Sequence, residues 1–192
     1  AFQECDAISE IVIVTRPDLI IPIGDLCHDM GKVRAVVAGG SSRQESVSLG
    51  LNALSDKCKL AAVQDGARPL VTWQLIDRVV RAANSYGAAV PGVPVKDTVK
   101  FTGGGLVKST PDRKELCAVQ TPQVFDFALI KKAYLKLEKD EYSLLQKGIS
   151  ITDDAMVVEM LLGEKVKLVE GSYQNIKITT PEDLAIAEGF LG

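Results

Sequence analysis

The sequence predicts a single α/β domain in which helices flank both faces of a mostly parallel, Rossmann-like sheet. Short runs of β-branched residues alternate along the chain with segments of helical periodicity. The chain has 192 residues, of which 46% are apolar and 24% are charged. This size and composition suit one domain with a packed core. No apolar run approaches the ~20 residues that a membrane-spanning helix requires, so we expect no membrane partner.

The first half of the chain contains the clearest alternation of strands and helices. Thr72 is a suitable N-cap and Gly87 a suitable C-terminal stop for one of the helices. Two prolines, Pro91 and Pro94, interrupt the fourth strand and predict that its ends lie at a sheet edge or a bend. Apolar residues at spacing three predict helix over residues 1–10. The predicted strands are residues 11–14, 33–37, 60–63 and 88–95, and the predicted helices are residues 43–54 and 72–86.

The pattern changes after these elements, where two alternating segments flank the glycines Gly103–Gly105. Alternation around a glycine turn is typical of a β-hairpin, and we expect a projecting β-arm over about residues 94–123. Further along, Thr152 is expected to cap a helix with two acids in its first turn. Thr180 is expected to cap the last helix, which begins with a proline. The other predicted elements are helices over residues 125–139 and 152–162 and strands over residues 166–169 and 176–178.

Charge and composition exclude several classes of function. Lysine and arginine number 22 against 25 acidic residues, and the net charge of −3 disfavours a sequence-blind nucleic-acid binder. Only 5% of the residues are aromatic, which disfavours base-stacking surfaces. The single histidine, His28, is predicted to lie at the surface or to serve packing, which disfavours histidine-led catalysis and zinc binding. The four cysteines lack C-x-x-C spacing, which predicts free thiols in a reducing compartment.

Two loops at the ends of predicted strands are candidates for ligand binding, because open α/β sheets bind ligands outside the carboxyl ends of their strands. In Ala38-Gly-Gly-Ser-Ser-Arg43, two glycines let a ligand approach the backbone, and the N–H groups of a helix start favour anions. An ordinary strand–helix turn explains the same residues. In the second loop, Asp65 followed by Gly66 suits a divalent cation or a ribose hydroxyl. The alternative is that Asp65 caps the following turn and pairs with Arg68.

A third candidate set combines cations and hydroxyls, namely Lys96, Thr98, Lys100, Arg113, Thr152 and Lys177. Lys177 alternates with two isoleucines and therefore points away from them in an extended segment. Arginine and lysine in such places suit phosphate groups, although each taken singly is also explained as a solvated surface charge. The P-loop and nucleophile-elbow motifs are both absent from the sequence. The residues alone therefore predict a domain that binds a phosphorylated or nucleotide ligand.

Six motifs occur in order along the chain: AGGSSRQESV at 38–47, QDGARP at 64–69, VPVKDTVK at 93–100, TPQ at 121–123, ITDD at 151–154 and NIKITTPEDL at 175–184. Together they resemble the 2-C-methyl-D-erythritol 4-phosphate cytidylyltransferase family of the non-mevalonate isoprenoid pathway, from about Ile11 to the end of the chain. The related ribitol-5-phosphate cytidylyltransferases share several motifs. The sequence VKDTVK together with Asp112-Arg113 favours the erythritol family. The resemblance implies a nucleotidyltransferase domain of the GT-A-like type with the β-arm described above.

The resemblance also implies a reaction. The phosphate of methylerythritol phosphate attacks the α-phosphorus of CTP, releasing pyrophosphate and forming CDP-methylerythritol in the presence of Mg²⁺. It implies that Gly39, Gly40 and Ser46 hold the cytosine and its ribose. Asp65 and Gly66 match the sugar and metal side of the nucleotide site, which implies that Asp65 is a catalytic residue and a metal ligand.

The substrate side of the site follows from the same resemblance. Arg113 and Lys177 match residues that position the substrate phosphate for attack, and Thr98 and Thr152 match its other contacts. In this family the arm reaches a second subunit, which implies a homodimer in which Thr98 and Arg113 act in the partner's site. The resemblance further implies a cytoplasmic enzyme, or a plastid one in a plant or alga.

One family feature is not among these residues. Family members carry a strand followed by a glycine-rich loop whose basic residues stabilise the transition state. We therefore expect the chain to be an N-terminally truncated form lacking a βα unit of ~40 residues, whose strand would lie inside the sheet. A catalytically inactive nucleotide-binding relative and a ribitol-type cytidylyltransferase are the alternative functions.

Overall fold

The computed structural model describes residues 1–192. The strands are β1 (Ile11–Thr15), β2 (Val33–Ala38), β3 (Leu60–Val63), β4 (Ala88–Pro94), β5 (Phe101–Gly103), β6 (Leu106–Ser109), β7 (Cys117–Val119), β8 (Gln123–Asp126) and β9 (Lys167–Glu170). The helices are α1 (Ile20–Leu26), α2 (Arg43–Ala53), α3 (Trp73–Tyr86), α4 (Phe127–Gln146), α5 (Asp154–Leu162) and α6 (Pro181–Leu191). None of the helices combines the length and the apolarity needed to cross a bilayer. The predicted α/β class is confirmed.

The strand pairing is mixed, so the prediction of a mostly parallel sheet is only partly confirmed. Strand β3 pairs with β8, and β4 pairs with both β8 and β7, and these three pairs are antiparallel. Only β9, which pairs with β4, and the separate pair β1–β2 are parallel. The cause is the path of the chain after the hairpin: β7 and β8 follow each other along β4, and both run antiparallel to it. The sequence pattern predicts helix from Phe125, so it gives no sign of strand in the last two residues of β8.

Strand β4 lies inside the sheet, so of the two expectations for its prolines, a sheet edge or a bend, the sheet edge is wrong. The partner of β4 changes at Pro91, since β8 pairs with Ala88 and Ala89 whereas β7 pairs from Gly92 onward. The carbonyl of Pro91 accepts a hydrogen bond from the backbone N–H of Gln120 at 2.8 Å. Pro91, which has no N–H, therefore lies where the ladder between β4 and its antiparallel partners is already interrupted, and the strand tolerates the proline there.

Helix caps predicted from sequence are confirmed at two helices. The Thr72 side chain accepts a hydrogen bond from the N–H of Leu75, and Gly87 ends α3 with φ of 80°, a conformation that glycine adopts without steric cost. At α6, Thr180 and Asp183 form a capping box. At α5 the cap is Asp153 and not Thr152, because the Asp153 carboxylate accepts from the N–H of Met156 at 2.9 Å.

Three further predictions about elements are wrong. Residues 1–10 form no helix: the N–H of Cys5 donates to Phe2 O and that of Ile8 donates to Cys5 O, so the spacing of three reflects two successive turns. Helix α4 begins at Phe127, after the Asp126 cap. Residues 176–178 form no strand, because their backbone follows the loop after β3, where Ile178 N donates to Ala67 O at 2.8 Å.

Helices cover both faces of the mixed sheet. Along β8, Val124 packs on the side of α3 and Phe125 packs on the side of α4 and α5, and both are fully buried. Alternation along a strand places such neighbours on opposite faces. The core therefore has two parts with the sheet between them, as the sequence predicts.

A cleft of about 920 Å³ separates β1 from β3. Strand β1 pairs only with β2, and β3 pairs only with β8, so each presents an unpaired edge. Apolar side chains of β1 and β3 line the cleft, and its polar end is formed by Gly39, Gly40, Arg43 and Asp65. Whether a further strand of the protein lies inside the sheet stays a prediction.

Strands β5 and β6 form the predicted hairpin as a separate two-stranded sheet. The turn contains Gly104 and Gly105, with φ of 61° and 78°, values in the left-handed region that favour glycine. Three large apolar side chains of the hairpin are exposed: Phe101, Leu106 and Val107. The hairpin is confirmed, and its role as a projecting dimerisation arm stays a prediction.

Candidate active site

Asp65, directly after β3, is the centre of a cationic cluster. Lys177 Nζ lies 2.9 Å from Asp65 Oδ2, and Arg43 Nη2 lies 3.4 Å from Oδ1. Arg68 Nε lies 4.0 Å from Oδ2. Burial alone would raise the pKa of Asp65, but Lys177, Arg43 and Arg68 outweigh it and hold this pKa below its ordinary value. Asp65 is therefore a carboxylate that accepts hydrogen bonds or binds a cation at neutral pH.

The alternative interpretation of the Asp65 loop, in which Asp65 closes the following turn, also agrees with the structure. Arg68 N donates to Asp65 O at 3.0 Å. The distance from Arg68 Nε to the Asp65 carboxylate is too long for a hydrogen bond. The turn and the ligand interpretation are therefore compatible, since the turn uses the backbone of Asp65 and leaves its side chain facing the cluster.

The segment that carries Lys177 is fastened to the Asp65 loop by buried hydrogen bonds. Arg68 Nη1 donates to Asn175 O at 2.7 Å, and Asn175 Nδ2 donates to Thr121 O at 2.9 Å. The Thr121 hydroxyl in turn accepts from Asp65 N at 3.1 Å. These bonds hold the 175–178 loop beside Asp65. Lys177 is thus brought to the site by side-chain anchoring and not by strand pairing.

Arg43 connects the cluster to a buried carboxylate on α5. Its Nη1 and Nη2 donate to Asp154 Oδ1 and Oδ2 at 3.0 and 2.7 Å. Asp154 is fully buried, and Tyr134 Oη donates a short hydrogen bond to its Oδ1. Burial lowers the pKa of Arg43, but Asp154 and Asp65 outweigh it and raise this pKa above its ordinary value. Burial and the neighbouring Asp154 charge together raise the pKa of Tyr134, so its hydroxyl stays a donor.

The glycine loop closes on the start of α2. Gly40 N donates to Ser46 Oγ at 3.1 Å, and Ser46 Oγ donates to Ser42 O at 2.8 Å. A Cβ atom added to Gly39 would lie 2.8 Å from Ser46 Oγ, and one added to Gly40 would lie 2.2 Å from the Glu45 side chain. The two glycines therefore permit a close approach of the loop to its own helix. Both of them and Ser46 line the cleft, as Asp65 and Gly66 do.

Three of the sequence-predicted residues are not brought to Asp65 within this chain. Arg113 Nη1 donates to Lys96 O at 2.5 Å and makes no hydrogen bond to the cluster. Thr98 is exposed. The Thr152 hydroxyl contacts Met156 Sδ at 3.6 Å. The neighbour of Thr152, Ile151, accepts a hydrogen bond from Gln44 at 2.8 Å, which places this segment at the start of α2.

Sequence reasoning missed three charged residues of the cluster as functional candidates. Arg43 and Asp154 lie inside two of the six motifs, but the sequence predicts a ligand role for neither. Arg68 belongs to the loop after Asp65 that is expected to bind ligands, but its one specific expected role is to pair with Asp65. The ITDD motif contains one signal for Asp154. A single acid is enough to cap a helix, so the second acid of the motif is available for contacts outside the helix.

The cluster is suited to anionic substrates. Three cations, Arg43, Arg68 and Lys177, face two carboxylates, Asp65 and Asp154, which leaves one positive charge in excess. Nowhere in the chain do three or more histidine, cysteine or acidic side chains gather as a metal site. A Mg²⁺ ion held by one or two carboxylates together with substrate phosphates is a common arrangement, and Asp65 fits that type of ligation.

Comparison with known proteins gives one consistent result. The family model described as IspD, 2-C-methyl-D-erythritol 4-phosphate cytidylyltransferase, matches residues 1–192. A relative of that name from Caldanaerobacter subterraneus subsp. tengcongensis is 45% identical over 199 residues, covering 100% of this chain and 82% of the relative. One from Halalkalibacterium halodurans is 46% identical over 192 residues, covering 99% of this chain and 80% of the relative.

Solved structures agree with the sequence relatives. The crystal structure of 4-diphosphocytidyl-2C-methyl-D-erythritol synthase from Anaerococcus prevotii matches with a TM-score of 0.85 and 35% identity, covering 98% of this chain and 81% of that one. The crystal structure of 2-C-methyl-D-erythritol 4-phosphate cytidylyltransferase from Thermus thermophilus matches with a TM-score of 0.77 and 36% identity. The match covers 96% of this chain and 83% of that one. This chain spans about four fifths of the length of the relatives.

Proposed function

The chain belongs to the 2-C-methyl-D-erythritol 4-phosphate cytidylyltransferase family, and from this premise we propose how its residues perform the family's reaction. The enzyme transfers CMP from CTP to 2-C-methyl-D-erythritol 4-phosphate. A phosphate oxygen of the sugar phosphate forms a bond to the α-phosphorus of CTP. The bond between the α-phosphorus and the bridging oxygen breaks, and pyrophosphate leaves with the electron pair.

This chemistry needs positioning and charge neutralisation more than a strong base, because the attacking phosphate is already an anion. The observation that carries the proposal is the cluster around Asp65, in which three cations converge beside the polar end of the cleft. Lys177 holds the phosphate of the incoming sugar ester. Its side chain is 44% exposed, so its ammonium is accessible to a ligand from solvent.

The nucleotide lies on the side of the glycine loop. Gly39, Gly40 and Ser46 hold the cytosine and its ribose, and Asp65 and Gly66 hold the sugar side. These assignments are supported by the position of the five residues, all of which line the cleft between β1 and β3. Exposed backbone at glycine lets a flat base approach closely.

Mg²⁺ is the cation that we assign to Asp65. The lowered pKa of Asp65 supports this role, since a metal ligand must be deprotonated. When bound, the ion would neutralise charge on the CTP phosphates. Asp65 then has two uses in this chain: it orients Lys177 and offers an anionic oxygen to the metal–nucleotide complex.

The substrate site is completed by a second copy of the chain. Thr98 and Arg113, around the β5–β6 hairpin, act in the partner's site, and Thr152 acts in the site of its own chain. Two observations support a homodimer through residues 94–123. The hairpin exposes Phe101, Leu106 and Val107, and Arg113 makes no hydrogen bond to its own cluster.

The reaction is tested by release of pyrophosphate from CTP with methylerythritol phosphate or ribitol 5-phosphate as acceptor, using the protein that carries this chain. We expect turnover with methylerythritol phosphate. Turnover with ribitol 5-phosphate alone would overturn the substrate assignment, and CTP binding without turnover would indicate an inactive relative.

The shared site is tested by mixing two variants of low activity, Arg113→Ala and Lys177→Ala, after dissociation and reassociation of the subunits. In a mixed dimer, one site carries both substitutions and the other is intact. About half of the reassociated dimers are mixed, so recovery to about a quarter of the parent activity is expected. If Arg113 acted in its own chain's site, the mixture would be no more active than the separate variants.

A further inference from the structure

The two acidic residues at the start of α5 have different surroundings. Asp153 serves its own helix, since its carboxylate accepts hydrogen bonds from Met156 N at 2.9 Å and from Gln123 Nε2 at 2.8 Å. Asp154 instead points away from the helix axis toward α2 and α4, where Arg43 and Tyr134 donate to it. Helix capping therefore explains Asp153 and leaves the side chain of Asp154 unexplained.

Asp154 is fully buried, which makes its position costly unless its charge is compensated. Compensation comes from the Arg43 guanidinium, whose two terminal nitrogens match the two carboxylate oxygens. The Tyr134 hydroxyl adds a third donor. The arrangement fixes the orientation of the Arg43 fork at the start of α2.

Arg43 also faces Asp65, but this contact is much weaker. Its Nη2 lies 2.7 Å from Asp154 Oδ2 and 3.4 Å from Asp65 Oδ1. Charge-assisted hydrogen bonds are ordinarily shorter than the second distance. Asp154 and Asp65 are the only carboxylates that pair with Arg43. Arg43 therefore forms its two short hydrogen bonds with Asp154 and only one long contact with Asp65.

We propose that Asp154 is a positioning residue that keeps Arg43 from closing onto Asp65. By holding the guanidinium fork, it limits Arg43 to one long contact of 3.4 Å with Asp65 Oδ1, while Lys177 lies 2.9 Å from Oδ2. Four alternating charges thus run from the protein interior to the site: Asp154, Arg43, Asp65 and Lys177. The inference deepens the proposed function, because it rests on Asp65 being a working residue of the site.

The test compares Asp154→Asn with Asp153→Asn, which changes the same helix start without touching Arg43. In Asp154→Asn the neutral amide loses its hold on Arg43, which then pairs with Asp65. We expect kcat/KM to fall about tenfold or more, because small displacements of positioned groups have effects of this size. We expect Asp153→Asn to lose much less activity at a temperature where both variants are folded, as verified by circular dichroism.

A second readout does not depend on activity. The crystal structure of Asp154→Asn should show an Arg43 terminal nitrogen about 2.9 Å from the Asp65 carboxylate, the length of a full charge-assisted hydrogen bond. In the parent this contact is 3.4 Å. Among the cations that face Asp65, only Arg43 contacts Asp154, so this distance reports on Arg43.

A double-mutant cycle tests whether Asp154 acts through Arg43. In an Arg43→Gln background, Asp154→Asn should change kcat/KM by less than about twofold, because the group that Asp154 positions is already absent. If Asp154→Asn does not fold at the assay temperature, Asp154→Ser carries the test with the same expectations, since it removes the charge without placing an amide N–H beside Arg43 and Tyr134.

The inference is wrong if the distance between Arg43 and Asp65 is unchanged or longer in the variant that carries the test. Equal activity losses in Asp153→Asn and Asp154→Asn, or a full loss from Asp154→Asn in the Arg43→Gln background, would also overturn it. If the parent protein shows no cytidylyl transfer, the proposed function fails, whereas the distance between Arg43 and Asp65 still decides whether Asp154 controls Arg43.

Discussion

Replacing Lys177 with alanine separates the role of this residue in catalysis from its role in the fold. The change removes an ammonium group 2.9 Å from Asp65 Oδ2 and leaves Asp65 with Arg43 and Arg68. The Lys177 side chain is 44% exposed, so solvent weakens its pair with Asp65 and the loss of unfolding free energy should be at most about 1 kcal/mol. The 175–178 loop keeps the anchoring bonds made by Asn175 and Ile178. We therefore expect a folded variant.

The catalytic effect should be larger than the effect on stability. A charge-assisted hydrogen bond to a phosphate contributes about 1.5–3 kcal/mol. If this contact holds the sugar phosphate, kcat/KM for methylerythritol phosphate should fall by about 10- to 150-fold. The apparent affinity for CTP should change less, because the proposed nucleotide site is on the glycine-loop side.

The measurement is pyrophosphate release at varied methylerythritol phosphate, with urea unfolding of the same samples as a check on stability. Lys165→Ala is the matched control, since Lys165 is exposed and makes no side-chain hydrogen bond or ion pair. Unchanged kcat/KM in Lys177→Ala, or an equal loss in Lys165→Ala, would refute the assignment of Lys177 to the substrate phosphate.

Three other perturbations test the remaining parts of the account. Deletion of residues 98–113 should convert dimers to monomers in sedimentation velocity, and a persisting dimer would place the interface elsewhere. The lowered pKa of Asp65 stabilises the fold above the ordinary value of 3.8, and this stabilisation is lost as the pH falls through the native value. Asp65→Asn should therefore lose less stability than the parent between about pH 5 and pH 2, measured by thermal unfolding. Phe125→Ala, at a fully buried site between β8 and α4, should cost about 3–5 kcal/mol in urea unfolding.

Local sequence signals predicted the elements that depend on neighbouring residues. The caps of α3 and α6, the glycine hairpin turn and the alternation of strands with helices all follow from short-range geometry. They could be predicted because a cap or a turn satisfies its own backbone groups within a few residues. The six motifs identified the family for the same reason, since each is a contiguous stretch of sequence.

The errors occur where distant contacts decide the structure. The short strand β8 lies between β3 and β4 because its side chains fill both halves of the core, and four residues carry too little periodicity to indicate this. Residues 1–10 turn instead of forming a helix because Cys5 is buried against α3. Similarly, Lys177 lies in a loop that is held by buried bonds from Arg68 and Asn175.

Residue patterns alone were enough to predict the α/β class, the caps of α3 and α6, the hairpin and the family, together with Asp65 and Lys177 as candidate site residues. The fold was needed to show that these two residues are paired, that the sheet is mixed, and that Arg43 is held by a buried Asp154. An ion pair between residues more than a hundred positions apart, such as Asp65 with Lys177, leaves no local trace in the sequence. Burial and charge compensation select the partners only after the chain has folded.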